Sequence, residues 1–433
     1  MGIIEISTKP VTTNPLKMSQ PLGGAMAFLG LQDAMPLFHG SQGCSAFAKT
    51  LLVKHFREAI PLQTTALSEV TTILGGTDNL HRALISLIKN HKPRVIGVMS
   101  TGLTETKGED LFGDVLSFRQ QNPKWADTAI IPVSTPDFKG SLEDGFFQAV
   151  SAIVRNLIKT PLPKRPGQIN ILAGSHLTAG DLDLIRDACH SYGLSPIILP
   201  DLGSSLDGHL AKGFSTVTIG GTALEQISDM ARSEATLVVG ASLIPCAHVL
   251  AERFQIPVLP FKRLSGLEPS DRFHDALSQI SGQKVPHKFR IQRNRLLDAM
   301  LDSHFFFSGK LVALALEADL LFALTSFFQE MGANPFLKIA PSMVPLLKEL
   351  KESCSGKIVI GDLMDLEKRA QDSDLLVSNS HARHAAKRLG KALLRRGIPV
   401  FDQLGHAYHT SVLYPGTMEL VFESGNLLMQ REH

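Results

Sequence analysis

Sulfur and the larger polar aromatics are scarce in this 433-residue chain, which has four cysteines, one tryptophan and three tyrosines. Cys44, Cys189, Cys246 and Cys354 stand far apart with no CxxC or finger-type spacing, which excludes a dense disulfide framework and a zinc finger. That cysteine usage leads us to expect a reducing, cytoplasmic compartment. Charge of one sign is also missing. A net charge of +2 gives no electrostatic basis for binding nucleic acid or an anionic membrane surface. No stretch nears the ~18 uninterrupted apolar residues of a membrane helix. The polar start from Met1 to Gln20 lacks the apolar segment of a signal peptide. Gly-rich turns recur, but none reads GxGxxG or GxxxxGK(S/T), so plain strand-to-helix turns are the simpler account of them. No GxSxG or HExxH motif occurs either, and for hydrolysis the sequence is silent.

What the chain does have is a rhythm of short apolar runs, Gly-rich breaks and amphipathic stretches. Its composition, 44% hydrophobic and 19% charged, is that of a globular protein, and its length suggests two to four domains. Eight runs read as buried parallel strands: Arg94–Ser100, Thr128–Ser134, Ile169–Ser175, Pro196–Asp201, Thr236–Ser242, Leu311–Leu316, Lys357–Asp362 and Asp374–Ser380. Each is continuously apolar rather than alternating, as expected where helices cover both faces of a sheet. Between them, Leu80, Leu84, Leu87 and Ile88 share one helical face, with Thr77 and Asp78 placed to cap it. Leu142, Phe146, Val150, Ile153, Val154 and Leu157 share another. Alternating strands and helices predict open, doubly wound α/β domains, too many strands for one sheet. Pro161–Pro166 reads as a linker, and a second break falls in the basic stretch from Ser281 to Arg295. The similar phrases Ile73–Leu80 and Thr218–Glu225 suggest related units.

Two histidine pairs, His381 with His384 and His406 with His409, have the three-residue spacing that can share a metal on a helix. A solvent-facing or helix-end role is the favoured reading of each pair, because no carboxylate or thiolate ligand is evident nearby. Cys44 stands out more sharply. Gly40 and Gly43 precede it, and the apolar helical pattern Phe47, Leu51, Leu52, Phe56 follows. A thiol at a helix N-terminus has its thiolate favoured by the dipole, and small neighbours admit a bulky group. On these residues alone Cys44 is either a reactive or ligating cysteine or a buried structural thiol.

The block from Met18 to Leu80, with MSQPLGGAMAFLG, MPLFHGSQGCSAF and HFREAIPLQTTALSEVTTILGG, resembles the β-type chains of the nitrogenase component 1 family. In the catalytic β chains of that family, three cysteines in phrases close to CQPLG, HGSQGC and STTC hold half of an eight-iron cluster. Here Ser19 replaces the first, Cys44 matches the second, and Leu103 falls at the third. A [4Fe–4S] cluster usually needs four thiolates, so Cys44 alone cannot hold one. The resemblance is closest to the β-type subunit of the scaffold that assembles the iron–molybdenum cofactor, also in Ser134–Gly145, Leu199–His209 and Asp298–Lys310. It implies a [4Fe–4S] cluster shared with an α-type scaffold subunit that supplies three cysteines, with Cys44 the one cofactor-binding and metal-ligating residue here. It further implies an α2β2 heterotetramer, a transient cofactor precursor held mainly by the partner, transient docking of the nitrogenase Fe protein, and no catalytic residue in this chain. The alternative it leaves is a β-type catalytic subunit of a nitrogenase-like reductase. The fold implied is three Rossmann-like doubly wound domains with mainly parallel sheets. With the breaks above they fall at 1–162, 167–285 and 286–433. Cys189, Cys246 and Cys354 match no family ligand and are expected to be buried thiols.

Overall fold

The structure, a computed structural model, describes residues 2–9, 12, 14–69, 75–208 and 215–430. In chain order its strands are β1 (Ile3–Ile6), β2 (Ala34–His39), β3 (Gln63–Thr64), β4 (Val95–Ser100), β5 (Ala129–Val133), β6 (Gln168–Ala173) and β7 (Ser195–Leu199). There follow β8 (Ala235–Val239), β9 (Val258–Phe261), β10 (Leu311–Ala315), β11 (Asn334–Ala340), β12 (Lys357–Ile360), β13 (Leu375–Ser378) and β14 (Ala392–Arg395). They form three sheets ordered β3-β2-β4-β5, β7-β6-β8-β9 and β1-β12-β11-β10-β13-β14. Every pairing between these strands is parallel. All eight apolar runs are strands, and β2, β4 and β6 are buried along their whole length, as two-sided helical cover requires.

Several of the strands that patterning does not reveal carry proline or charge. β2 contains Pro36, β9 contains Pro260, and β11 contains Pro335 and Lys338. Pro36 is tolerated in a central strand where β3 pairs only from Leu37 onward. Residues 3–6 correct the first boundary. Placed with the first unit by the sequence, they are an edge strand of the third sheet, paired with β12 in register from Ile3↔Lys357 to Ile6↔Ile360. Arg369 grips Glu5 at 2.6 Å and Lys9 reaches Asp365 at 2.9 Å, which fastens the strand there. The physical reason is that β12 would otherwise present an open ladder at the sheet's edge.

The Thr77–His91 helix buries Leu80, Leu84, Leu87 and Ile88 as patterned. Its cap differs from expectation: Gly76 is the N-cap, and the Thr77 hydroxyl instead donates to Asp114 at 3.0 Å. Of the two similar glycine phrases, Ile73 and Leu74 lie outside the described residues. Thr218–Glu225 leads only into the six-residue Leu224–Asp229 helix.

One helix contact positions the rest. All ten residues of the Gln20–Leu29 helix are buried, and it crosses the Leu142–Leu157 helix at two glycines. A Cβ on Gly23 would lie 1.8 Å from the Leu142 carbonyl oxygen, and one on Gly145 would lie 1.9 Å from that of Gln20. Both glycines are therefore demanded by backbone approach, which accounts for the PLGG phrase. A continuous apolar core then runs through side chains of all three sheets, from Leu22 and Phe146 through Ile171 and Val238 to Leu314 and Leu324.

Candidate functional site

In the first sheet β2 and β4 are neighbours, while the chain leaves β2 for β3 on one side and leaves β4 for β5 on the other. This is a topological switch point, and in open α/β sheets ligands bind at such points, beyond the carboxyl ends of the strands. His39 and Ser100, the last residues of β2 and β4, lie in register. The HGSQGC phrase begins at this edge. Thr101 Oγ1 donates to the His39 carbonyl at 3.0 Å, so close to Gly40 that an added Cβ would sit 2.5 Å from that hydroxyl. Gly40 N donates to Thr65 Oγ1 at 3.1 Å, and His39 Nδ1 meets the same hydroxyl at 3.0 Å.

Below the turn His39 is fully buried, with Nε2 2.8 Å from Glu109 Oε2. Burial pushes its pKa down, and the Glu109 carboxylate opposes that shift. Glu109 also accepts from Gly76 N at 3.1 Å and pairs with Lys107 at 2.9 Å. A buried network thus fixes the base of the turn, a role that spacing in the sequence does not disclose.

On this base stands the Gln42–Phe56 helix, N-capped at Ser41, with Cys44 as its third residue and exposed. Ser41 Oγ lies 3.5 Å from Cys44 Sγ, and a Cβ at Gly43 would meet no atom within 4 Å. The thiol therefore faces open space from the first turn of a helix. The buried-thiol alternative for Cys44 is excluded.

Ser19 and Leu103 belong to the same edge. Ser19 is the N-cap of the Gln20–Leu29 helix and accepts from Leu22 N at 3.4 Å. Its neighbour Gln20 donates to the Lys139 carbonyl at 2.9 Å, in the loop that leaves β5. Leu103 is the second residue of the Gly102–Lys107 helix that follows β4, and is 38% exposed. The serine hydroxyl is occupied with capping and the leucine carries no donor atom. The side chains fit one thiolate contribution to a shared cluster and do not fit a cluster held by this chain alone. Phe47 and Phe138, in the segments leaving β2 and β5, are 68% and 60% exposed.

The other cysteines are buried, and burial pushes the thiols of Cys189 and Cys246 up to about 12. The histidine pairs do not assemble a metal site. His381 packs against the Phe401 ring, and His384 accepts from Arg383 at 3.2 Å. His406 is buried and held down to about 3, while His409 pairs with Glu419 at 3.0 Å. Among the described residues no group of three histidine, cysteine or acidic side chains has the geometry to hold a metal ion. Nor is any helix among them long and apolar enough to cross a membrane. Where the three sheets meet, a cavity of about 50 Å³ is lined by Met26, His55, His176, Leu320, Arg396 and His406, among others. Its residues come from distant segments, so no local motif announces it.

Comparison with known proteins agrees with this geometry. The family model for nitrogenase component 1 type oxidoreductases matches residues 19–429. The chain is similar to the nitrogenase iron-molybdenum cofactor biosynthesis protein NifN of Nostoc sp. strain PCC 7120, with 47% identity over 100% of this chain and 96% of the relative. It is likewise similar to NifN of Bradyrhizobium diazoefficiens, at 44% identity over 99% of this chain and 92% of that one. NifN of Klebsiella pneumoniae matches at 40% identity, covering 100% and 94%. Among solved structures, "Nitrogenase Cp1 at pH 6.5" superposes with a TM-score of 0.93 at 29% identity, covering 98% of this chain and 95% of the other. The chain belongs to the nitrogenase component 1 family, within the branch formed by the NifN proteins.

Proposed function

We propose that this chain is one subunit of the scaffold complex on which the nitrogenase iron–molybdenum cofactor is matured. In it, Cys44 gives the single thiolate this chain contributes to a [4Fe–4S] cluster shared with the α-type partner, NifE. The observation that carries the proposal is the asymmetry of the switch-point edge. One exposed thiol projects from a helix N-terminus, while the two positions that bear cysteine in catalytic β chains hold a capping serine and an exposed leucine. A site with one thiolate is useless for iron until another chain completes it. The exposed Phe47 and Phe138 support a partner seated over that edge. When bound, such a cluster supplies electron transfer or structural anchorage. This chain's part is to hold the Cys44 thiolate in a fixed helical turn, with the His39–Glu109 pair keeping the turn rigid. The α2β2 assembly, the transient precursor in the partner and the docking of the Fe protein belong to the same proposal, as do domain boundaries near 162 and 285.

Within the alternative of a catalytic β-type subunit, the donor set at Ser19 and Leu103 disfavours the nitrogenase β chain, which holds half of a larger cluster. The test is genetic and biochemical. Deleting the gene should leave nitrogenase component 1 without its iron–molybdenum cofactor. Adding the purified complex with the Fe protein, molybdate and homocitrate should restore activity. Normal cofactor content in the deletion strain would overturn the proposal, as would substrate reduction by the purified complex at nitrogenase-like rates.

A further inference from the structure

The serine that begins the Gln42–Phe56 helix does not do what N-cap serines ordinarily do. At that position a side-chain oxygen accepts from the N–H two or three residues on. Elsewhere in this chain the rule holds: Ser19 accepts from Leu22 N at 3.4 Å, Asp110 from Gly113 N at 3.0 Å and Thr178 from Asp181 N at 3.1 Å. Ser41 has the extended backbone of an N-cap, with φ −73° and ψ 159°, yet its hydroxyl caps nothing. Its Oγ lies instead 3.5 Å from Cys44 Sγ. Thr64 of β3 holds the backbone that presents it, because Thr64 Oγ1 donates to the Gly40 carbonyl at 3.1 Å and lies 3.5 Å from that of Ser41. Among the described residues no acceptor meets Gly43 N or Cys44 N. The first turn therefore keeps its positive end open toward whatever negative charge Cys44 comes to carry.

Between a hydroxyl and a thiol the hydrogen bond can run either way. Iron ligation removes the thiol's proton, and a thiolate can only accept. The Ser41 O–H then becomes the donor, in a charge-assisted bond. Such a bond orients the ligand and draws negative charge from its sulfur. It stabilises the reduced, more negative state of a cluster over the oxidised one, which raises the reduction potential.

We propose that Ser41 is a positioning residue for the shared cluster: its hydroxyl donates to the Cys44 thiolate, fixes the direction of that sulfur and makes the cluster easier to reduce. The inference rests on the assignment of Cys44 above and deepens it. A serine released from capping to face the ligand sulfur fits a cluster that transfers electrons better than one that only anchors two chains, since anchorage gains nothing from a tuned potential.

Redox titration of the purified complex with its α-type partner, followed by EPR, tests this. In Ser41→Ala the ratio of reduced to oxidised cluster at a fixed potential should fall about tenfold, a downward shift of about 59 mV for one electron. Ser41→Gly removes the same hydroxyl with a residue well tolerated at N-caps, and should shift the potential equally. Ser41→Thr keeps a hydroxyl and should restore the wild-type potential. Thr50→Ala deletes another hydroxyl of the same helix, bonded to the Ala46 carbonyl at 2.9 Å, and should leave the potential alone. The thermal midpoint of the complex should not move in Ser41→Ala, because no helix cap is lost. A cluster that depends on Cys44 but keeps its potential in both Ser41→Ala and Ser41→Gly would overturn this inference alone. So would an equal shift in Ser41→Thr, or a lowered thermal midpoint with no change of potential. A cluster that survives Cys44→Ala would instead overturn the assignment of Cys44, and this inference with it.

Discussion

Replacing Gly145 by alanine tests how tightly the core is set around the Gln20–Leu29 helix. The new Cβ would stand 1.9 Å from the Gln20 carbonyl oxygen and 2.6 Å from its Cα, and ordinary contact begins at 3.4 Å. Both obstacles are backbone, so no side chain can swing aside, and the two helices must part by about 1.5 Å at the crossing. A gap of even 0.5–1 Å forfeits roughly a quarter to a half of each contact's attraction. Because this helix is buried along its whole length, the loss spreads to Leu22, Met26 and Phe146. We expect a destabilisation of about 3 kcal/mol, the upper part of the overpacking range. Gly43→Ala is the internal control. Its Cβ meets nothing within 4 Å, so helix propensity acts alone and stability should be unchanged or higher by about 0.5 kcal/mol. Denaturant titration of the two variants beside the wild type gives the comparison. Equal midpoints for Gly145→Ala and wild type would refute the close-crossing argument.

Further predictions concern charge and access. Glu109→Ala strips His39 and Gly76 N of a buried partner and should cost about 2–4 kcal/mol in the same titration, whereas a surface-like loss under 0.5 kcal/mol would contradict the network. Burial lowers His55, His274 and His406 from 6.5 to about 4, 4 and 3. The unfolded chain thus takes up protons that the folded chain refuses, so stability should fall as pH drops from 6.5 toward 4. The carboxyls that burial raises, Asp137, Glu143, Asp181, Asp183 and Glu317, work in the opposite direction but are outnumbered once the lowered His39, His176 and His381 join those three, and thermal melts that rise steadily toward pH 4 would contradict the assignment. A maleimide added to the native chain without its partner should modify Cys44 alone. Rapid labelling of Cys189, Cys246 or Cys354 by mass spectrometry would contradict their burial.

Much of the fold is legible in the residues because two-sided burial writes continuous apolar strands. The first-sheet and third-sheet runs at Val95–Ser100 and Leu375–Ser378 need no other clue. Where backbone pairing tolerates proline or a charge, as in β2 and β11, the pattern breaks and the strand disappears from view. β1 is short and solvent-facing, and only three-dimensional neighbourhood reveals that it completes the third sheet. The site divides in the same way. Cys44 and its glycines are contiguous and can be read directly, as can the missing cysteines once the family resemblance is seen. The His39–Glu109 pair spans seventy positions, and the hydrogen bond from Asp319 N to Glu143 joins residues 176 apart. Capping by Ser19 is local, yet its phrase invites comparison with a lost ligand rather than a helix start.

The central claim is that Cys44 is the one iron ligand this chain supplies. Iron content and the EPR spectrum of the complex with its α-type partner, for wild type and Cys44→Ala, test it most directly. The account predicts that the variant loses the signal of the shared cluster and about four irons per αβ pair, while Cys189→Ala keeps both. An unchanged cluster signal in Cys44→Ala would contradict it.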